Sequence, residues 1–236
     1  MNQPSPPASG TTFAERAIAH FLNFRVPDAL PGSAGVINPY QSELTRELVR
    51  QFYTKFFDDT GRRILVLGIN PGRFGGGTTG IAFTDPVALR QYCGISNALS
   101  GKSEMSSRFV YALIQQFGGA AAFFARFHLG ALYPLALVKN GKNYNYYDDP
   151  ALYQALKPAI VENLRAQVAF GADERYAICL GRKNGDYLQR LNEEHSFFRS
   201  IVALDHPRYI MQYKSAQASA YVERYLAALR VGLGEG

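Results

Sequence analysis

The chain has 236 residues, 47% of them hydrophobic, with 25 Lys and Arg against 19 Asp and Glu, two Cys and no Trp. That is enough apolar material for one α/β domain, so a wholly disordered chain is excluded, as are a disulfide scaffold, a four-thiolate iron–sulfur cluster and an all-thiolate zinc site. No apolar run nears the roughly 20 residues of a bilayer span, and the N-terminus lacks the basic and apolar regions of a secretory signal, so a cytoplasmic setting is expected.

Residues 1–11, rich in Pro, Ser and Gly, read as a flexible tail, and residues 12–236 as a single domain. Thr12 and Glu15 have capping-box spacing and open a helix over 14–24. Residues 26–40 read as an ordered loop. Ser42 caps a second helix whose apolar stripe is Leu44, Leu48, Phe52 and Phe56. The run 63–69 (RILVLGI) reads as a strand buried on both faces, followed by a Gly-rich loop from Asn70 to about Asp85. Residues 106–127 predict one or two helices broken at Gly118-Gly119. Residues 129–138 predict a second strand, with Pro134 at a bulge, end or edge. Asp149 and Pro150 open a helix running to about Phe170. A third strand spans 175–181, a short helix 184–194, a fourth strand 199–204, and Ser215 opens a final helix ending near Gly232.

Strands alternating with helices predict an α/β fold, a three-layer α/β/α sandwich around four parallel strands. In such sheets ligands bind beyond the carboxyl ends of the strands, which singles out the loops after Ile69, Val138, Gly181 and Leu204.

The first loop reads G68-I-N-P-G-R-F-G-G-G-T-T-G-I-A-F83. Asn70 ends a stiff strand, and its carboxamide can position a water by donating and accepting hydrogen bonds. Phe83 can return to the same pocket and stack on a flat ligand. A P-loop needs a lysine where Thr78 stands, which counts against nucleotide hydrolysis. A surface turn with a capping Asn is the competing structural reading. The last loop reads D205-H-P-R-Y-I-M-Q-Y-K214. Its interleaved basic and aromatic residues suit phosphate neutralisation and base stacking, although a buried histidine beside a basic loop is the bland alternative. His20, His128 and His195 read as structural. The formal charge of +6 is uneven, with 20 basic against 13 acidic residues over 62–236, a weak pointer to a polyanionic partner. An amide, a histidine and an aromatic platform suit hydrolysis with a flat heterocycle as leaving group.

In this order, G68-I-N-P-G-R-F-G, T79-G-I-A-F83, S103-E-M-S-S-R-F109, G141-K-N143 and H206-P resemble uracil-DNA glycosylases. The nearest group is the single-strand-selective monofunctional branch, in its second, bacterial subgroup, over roughly residues 60–230. The resemblance implies a four-stranded parallel sheet between helices, a monomer, and hydrolysis of the N-glycosidic bond of a deaminated base in DNA without metal or other cofactor. It implies that Asn70 positions the hydrolytic water and that His206 hydrogen-bonds the departing base at O2. Base-binding positions are implied at Ile69, Gly72, Phe74, Gly77, Phe83 and Asn143. Residues 208–214 become the wedge that replaces the extruded base, with Arg208, Tyr209, Gln212 and Lys214 on the strand. The chain departs from the pattern at Ala131, where the family has a pyrimidine-reading asparagine. Asn143 or Asn145 can substitute, or that segment is simply a polar turn ahead of the Asp149 cap. The departure widens the expected bases from uracil to xanthine. A non-catalytic binder of damaged or single-stranded DNA is the alternative.

Overall fold

A computed structural model describes residues 10–27, 29–101 and 103–235. The expected tail therefore lies outside the described residues except at positions 10 and 11. In chain order the elements are α1 (Phe13–Leu22), β1 (Gly35–Ile37), α2 (Glu43–Phe57), β2 (Arg63–Gly68), α3 (Gly76–Thr79), α4 (Pro86–Gln91), α5 (Met105–Phe117) and α6 (Ala120–Phe124). They continue with β3 (Phe127–Ala131), β4 (Ala136–Lys139), β5 (Lys142–Tyr144), α7 (Pro150–Ala169), β6 (Ala172–Leu180), α8 (Arg182–His195), β7 (Ile201–Leu204), α9 (Pro207–Tyr213) and α10 (Ala218–Leu233).

The main sheet is parallel throughout, in the order β3-β2-β6-β7. Every residue of β2 is buried, as a strand covered on both faces requires. Helix α1 packs on α2 and α7, while α5, α9 and α10 pack on one another, giving the α/β/α layering. The capping box at Thr12 forms: its side chain accepts from Glu15 N–H at 3.2 Å, and Glu15 accepts from Thr12 N–H at 2.7 Å. No helix among the described residues is long and apolar enough to cross a membrane.

Several expectations need correction. The run 129–138 is two strands rather than one. After β3 the chain makes two further bonds to the β2 end, Leu132 N–H to Gly68 O and Tyr133 N–H to Ile69 O, and then turns at Pro134, which has no N–H to donate. Strand β4 joins a separate antiparallel sheet, β1-β4-β5. Both partners lie in segments read as loop or turn. The β4–β5 turn is Asn140-Gly141, both at positive φ, which is the strongest two-residue hairpin signal a sequence carries. In α2 the buried face is Thr45, Leu48, Val49, Phe52, Tyr53 and Phe57, and Leu44 is 43% exposed. Ser42 stands at the N-cap, but its side chain makes no cap bond. Residues 207–213, read as loop, form α9. Ser215 begins a short 3-10 turn, so the last helix starts at Ala218.

Candidate active site

Strands β2 and β7 both end on one rim of the parallel sheet, and a cleft of about 790 Å³ opens there. Its wall includes Ile69, Asn70, Gly72, Phe74, Phe83, Asn143, His206, Arg208, Tyr209 and Gln212. Gly77 is not in the wall; its N–H is turned to Gly72 O at 2.9 Å, behind the cavity surface. Lys214, the C-cap residue of α9, is not in the wall either.

Asn70 directly follows β2, but its orientation comes from the small sheet. Its Nδ2 donates to Tyr144 O at 3.0 Å, and its Oδ1 accepts from Tyr146 N–H at 3.2 Å. A carboxamide offers two N–H donors and two acceptor lone pairs. One of each is spent on the backbone around β5, so one donor and one acceptor remain, in a fixed direction.

His206 is the N-cap of α9, with Pro207 at the first helical position. Its Nδ1 accepts from Arg208 N–H at 3.1 Å, which places the ring proton on Nε2. Desolvation first, and then the Arg208 guanidinium, lower the His206 pKa to about 4. The imidazole is therefore neutral near pH 7 and has one N–H to donate. The backbone of the preceding residue is tied down as well, because Tyr225 Oη–H donates to Asp205 O.

Phe83 joins the two loops. Its ring centroid lies 6.1 Å from that of His206. It takes a left-handed φ of 56°, rare for an aromatic residue, and its ring lies over Gly68. A Cβ on Gly68 would stand 2.5 Å from that ring, so only glycine leaves Phe83 this place. The asparagine, the histidine and the aromatic platform thus face one cavity from distant parts of the chain.

The rim is basic and aromatic. Arg73, Lys142 and Arg208 line it. The Arg73 guanidinium lies 4.4 Å from the Phe74 ring centroid, and Phe74 is 57% exposed. Tyr209 and Tyr213, four residues apart on α9, share one helix face with ring centroids 5.6 Å apart, and Tyr213 is 65% exposed.

A family model described as the uracil DNA glycosylase superfamily matches residues 54–230. The chain belongs to the uracil DNA glycosylase superfamily. A crystal structure of wild-type Pedobacter heparinus SMUG2 is similar to it, with 40% sequence identity and a TM-score of 0.90, over 94% of this chain and 99% of that one. A comparison with curated proteins finds none that matches.

Ala131 lines the wall of the cleft, as do the amides Asn143 and Asn145. Asn143 Oδ1 accepts from Arg73 N–H at 3.2 Å, and the Asn145 side chain donates to Asp148 at 3.3 Å. The Ala131 carbonyl is held from behind by Asn163 Nδ2 at 2.8 Å and Gln167 Nε2 at 3.1 Å. Wall residues without an individual role in the sequence analysis include Arg73, Glu104, Lys142 and Tyr147. Glu104 stands inside the S103-E-M-S-S-R-F109 motif, which was the available signal. Burial foremost, with Asp85 nearby, raises its carboxyl pKa, against the pull of the Phe74 and Gly75 amides and of Arg208. Among the described residues no group of three or more His, Cys, Asp and Glu is arranged to hold a metal ion.

Proposed function

We propose that this protein hydrolyses the N-glycosidic bond of uracil, and of other deaminated bases including xanthine, after the nucleotide is flipped out of DNA into the cleft. The observation that carries this reading is the convergence of Asn70, Phe83 and His206 on one cavity with a basic, aromatic rim. The family membership supports it.

Breaking this bond develops positive charge on the sugar and negative charge on the base. Phe83 provides the face on which the extruded base stacks. The unspent donor and acceptor of Asn70 hold the attacking water beneath C1′. The Nε2–H of neutral His206 donates to the base oxygen where charge collects, a placement worth about 3 kcal/mol in comparable anion holes. Arg73, Arg208 and Lys142 neutralise phosphates of the flanking strand. Tyr209 and Tyr213, presented by a short rigid helix, fill the space the base leaves. At Ala131 the pocket offers a methyl group instead of a pyrimidine-reading amide. This removes a contact that would favour uracil over larger bases and supports acceptance of xanthine.

The test is an excision panel of uracil, xanthine, hypoxanthine and oxidised pyrimidines, in single and double strands, read as alkali-labile abasic sites. Release of uracil or xanthine is expected. Asn70→Ala should lose about 100-fold or more in rate while DNA affinity changes only a few-fold. No release of any deaminated base would leave a DNA-binding protein without this chemistry.

A further inference from the structure

Glu104 is the one acid among the described residues that line the cleft. A carboxylate beside bound DNA repels phosphates, so its presence there calls for another reason. Its backbone is anchored: Glu104 N–H donates to Asp85 Oδ2 at 2.7 Å, and buried Asp85 also accepts from Ser103 Oγ at 3.2 Å and Ala88 N–H at 2.8 Å. Its side chain reaches into the turn that follows Asn70. The carboxylate lies against the backbone of Gly72 and Gly75. A Cβ on Gly75 would lie 2.4 Å from Oε2, and one on Gly72 2.9 Å from Oε1. Both glycines are therefore needed for the carboxylate to seat. The turn is closed on itself as well, with Gly75 N–H and Gly77 N–H both on Gly72 O. Glu104 is the N-cap residue of α5, and α5 packs on α9, whose own N-cap is His206.

We propose that Glu104 is a positioning residue for base excision, clamping the Gly72–Gly75 turn against the start of α5 and so fixing Asn70 relative to His206. The inference rests on the glycosylase reading. Gly72 is two residues from Asn70, so a turn released at Gly72 and Gly75 passes its displacement to the amide that holds the water. A misplacement of about 1 Å is enough to cost roughly 100-fold in rate.

Rate and affinity should move in opposite directions when the carboxylate is removed, which general loosening of the fold would not produce. The experiment compares wild type, Glu104→Ala and Glu104→Gln on a uracil-containing single-stranded oligonucleotide. It measures the single-turnover rate, the dissociation constant and the melting temperature. Glu104→Ala is expected to lose about 30-fold or more in rate, and to bind DNA as tightly as wild type or a few-fold more tightly. Its melting temperature should stay within about 5 °C of wild type. Glu104→Gln should bind like Glu104→Ala but recover part of the rate, because its carboxamide keeps the size of the carboxylate and still fills the turn with a polar acceptor. Undiminished excision by Glu104→Ala overturns the proposal. So does a rate loss matched by weaker binding, or a Glu104→Gln variant no faster than Glu104→Ala. If wild type itself releases no base, the glycosylase reading fails and the positioning role fails with it; active wild type with an equally active Glu104→Ala removes the positioning role alone.

Discussion

His206 is useful as a donor only while its charge state is fixed, and its surroundings fix it. Protonating Nδ1 would put a hydrogen on the atom that accepts from Arg208 N–H, in a half-buried position beside a guanidinium. An NMR titration of its ring should therefore show a midpoint at about 4. A midpoint near the ordinary histidine value of about 6.5 would contradict this environment. Excision should accordingly show no fall assignable to His206 between pH 8 and 6. Asn70 is fixed by a different means, two backbone bonds that spend half of its hydrogen-bonding capacity. Phe83 is fixed by a third, a left-handed backbone tolerated because Gly68 leaves room beneath the ring.

Among elements, α9 lines the cleft with Arg208, Tyr209, Gln212 and Tyr213, and the β4–β5 hairpin adds Lys142 and Asn143 and holds the Asn70 carboxamide. Behind the hairpin stands Tyr146, buried, whose hydroxyl donates to Asn184 Oδ1 at 2.7 Å; Asn184 in turn donates to Cys179 Sγ at 3.1 Å. Tyr146→Phe leaves the Asn184 oxygen buried without that donor and should cost about 1–3 kcal/mol in urea unfolding. Excision should change less than about threefold, because the bond to Asn70 comes from the Tyr146 backbone rather than its ring. A large loss of rate in a variant that is still folded would show that the side-chain network sets the Asn70 geometry. The main parallel strands were legible because each is a short apolar run that a two-faced sheet demands. Asn70 and His206 were legible because parallel strands deliver their ends to one rim, and Phe83 because the loop that follows Asn70 can return an aromatic ring to the same place. The small sheet was hidden by the continuous apolar run over 129–138, in which Pro134 was consistent with a bulge or edge of one strand as well as with a break between two. The α9 helix was hidden by its length: seven residues carry too little periodicity, and only Pro207 at the first position marks its start. Glu104 had no chemistry visible in one dimension, since the glycines it packs against, Gly72 and Gly75, belong to a different motif.

At the scale of the whole molecule, burial governs the acid response. Burial lowers the pKa of His206 to about 4, of His128, helped by Arg63, to about 3, and of His20 below its ordinary value. Unfolding returns each to about 6.5, so the unfolded chain takes up protons first as pH falls. Their stabilising contribution is complete above about pH 6.5 and is lost progressively as pH falls toward 4 and 3. Melting temperature should therefore drop steadily below pH 6.5, and His128→Phe should flatten part of the slope. An unchanged melting temperature between pH 7 and 5 would contradict it.

The Asn70 carboxamide takes its bearings from around a three-stranded sheet that shares no strand with the main one. Small, partly exposed sheets open at lower free energy than a buried parallel core. Turnover and fold should therefore fail at different points. In rising urea, excision should decline before near-ultraviolet dichroism does, and the Tyr146 amide should exchange hydrogen faster than the amides of Val66 and Leu67. Coincident curves would refute this. Bracing the Asn140-Gly141 bend is then expected to raise the upper working temperature with the interior left untouched.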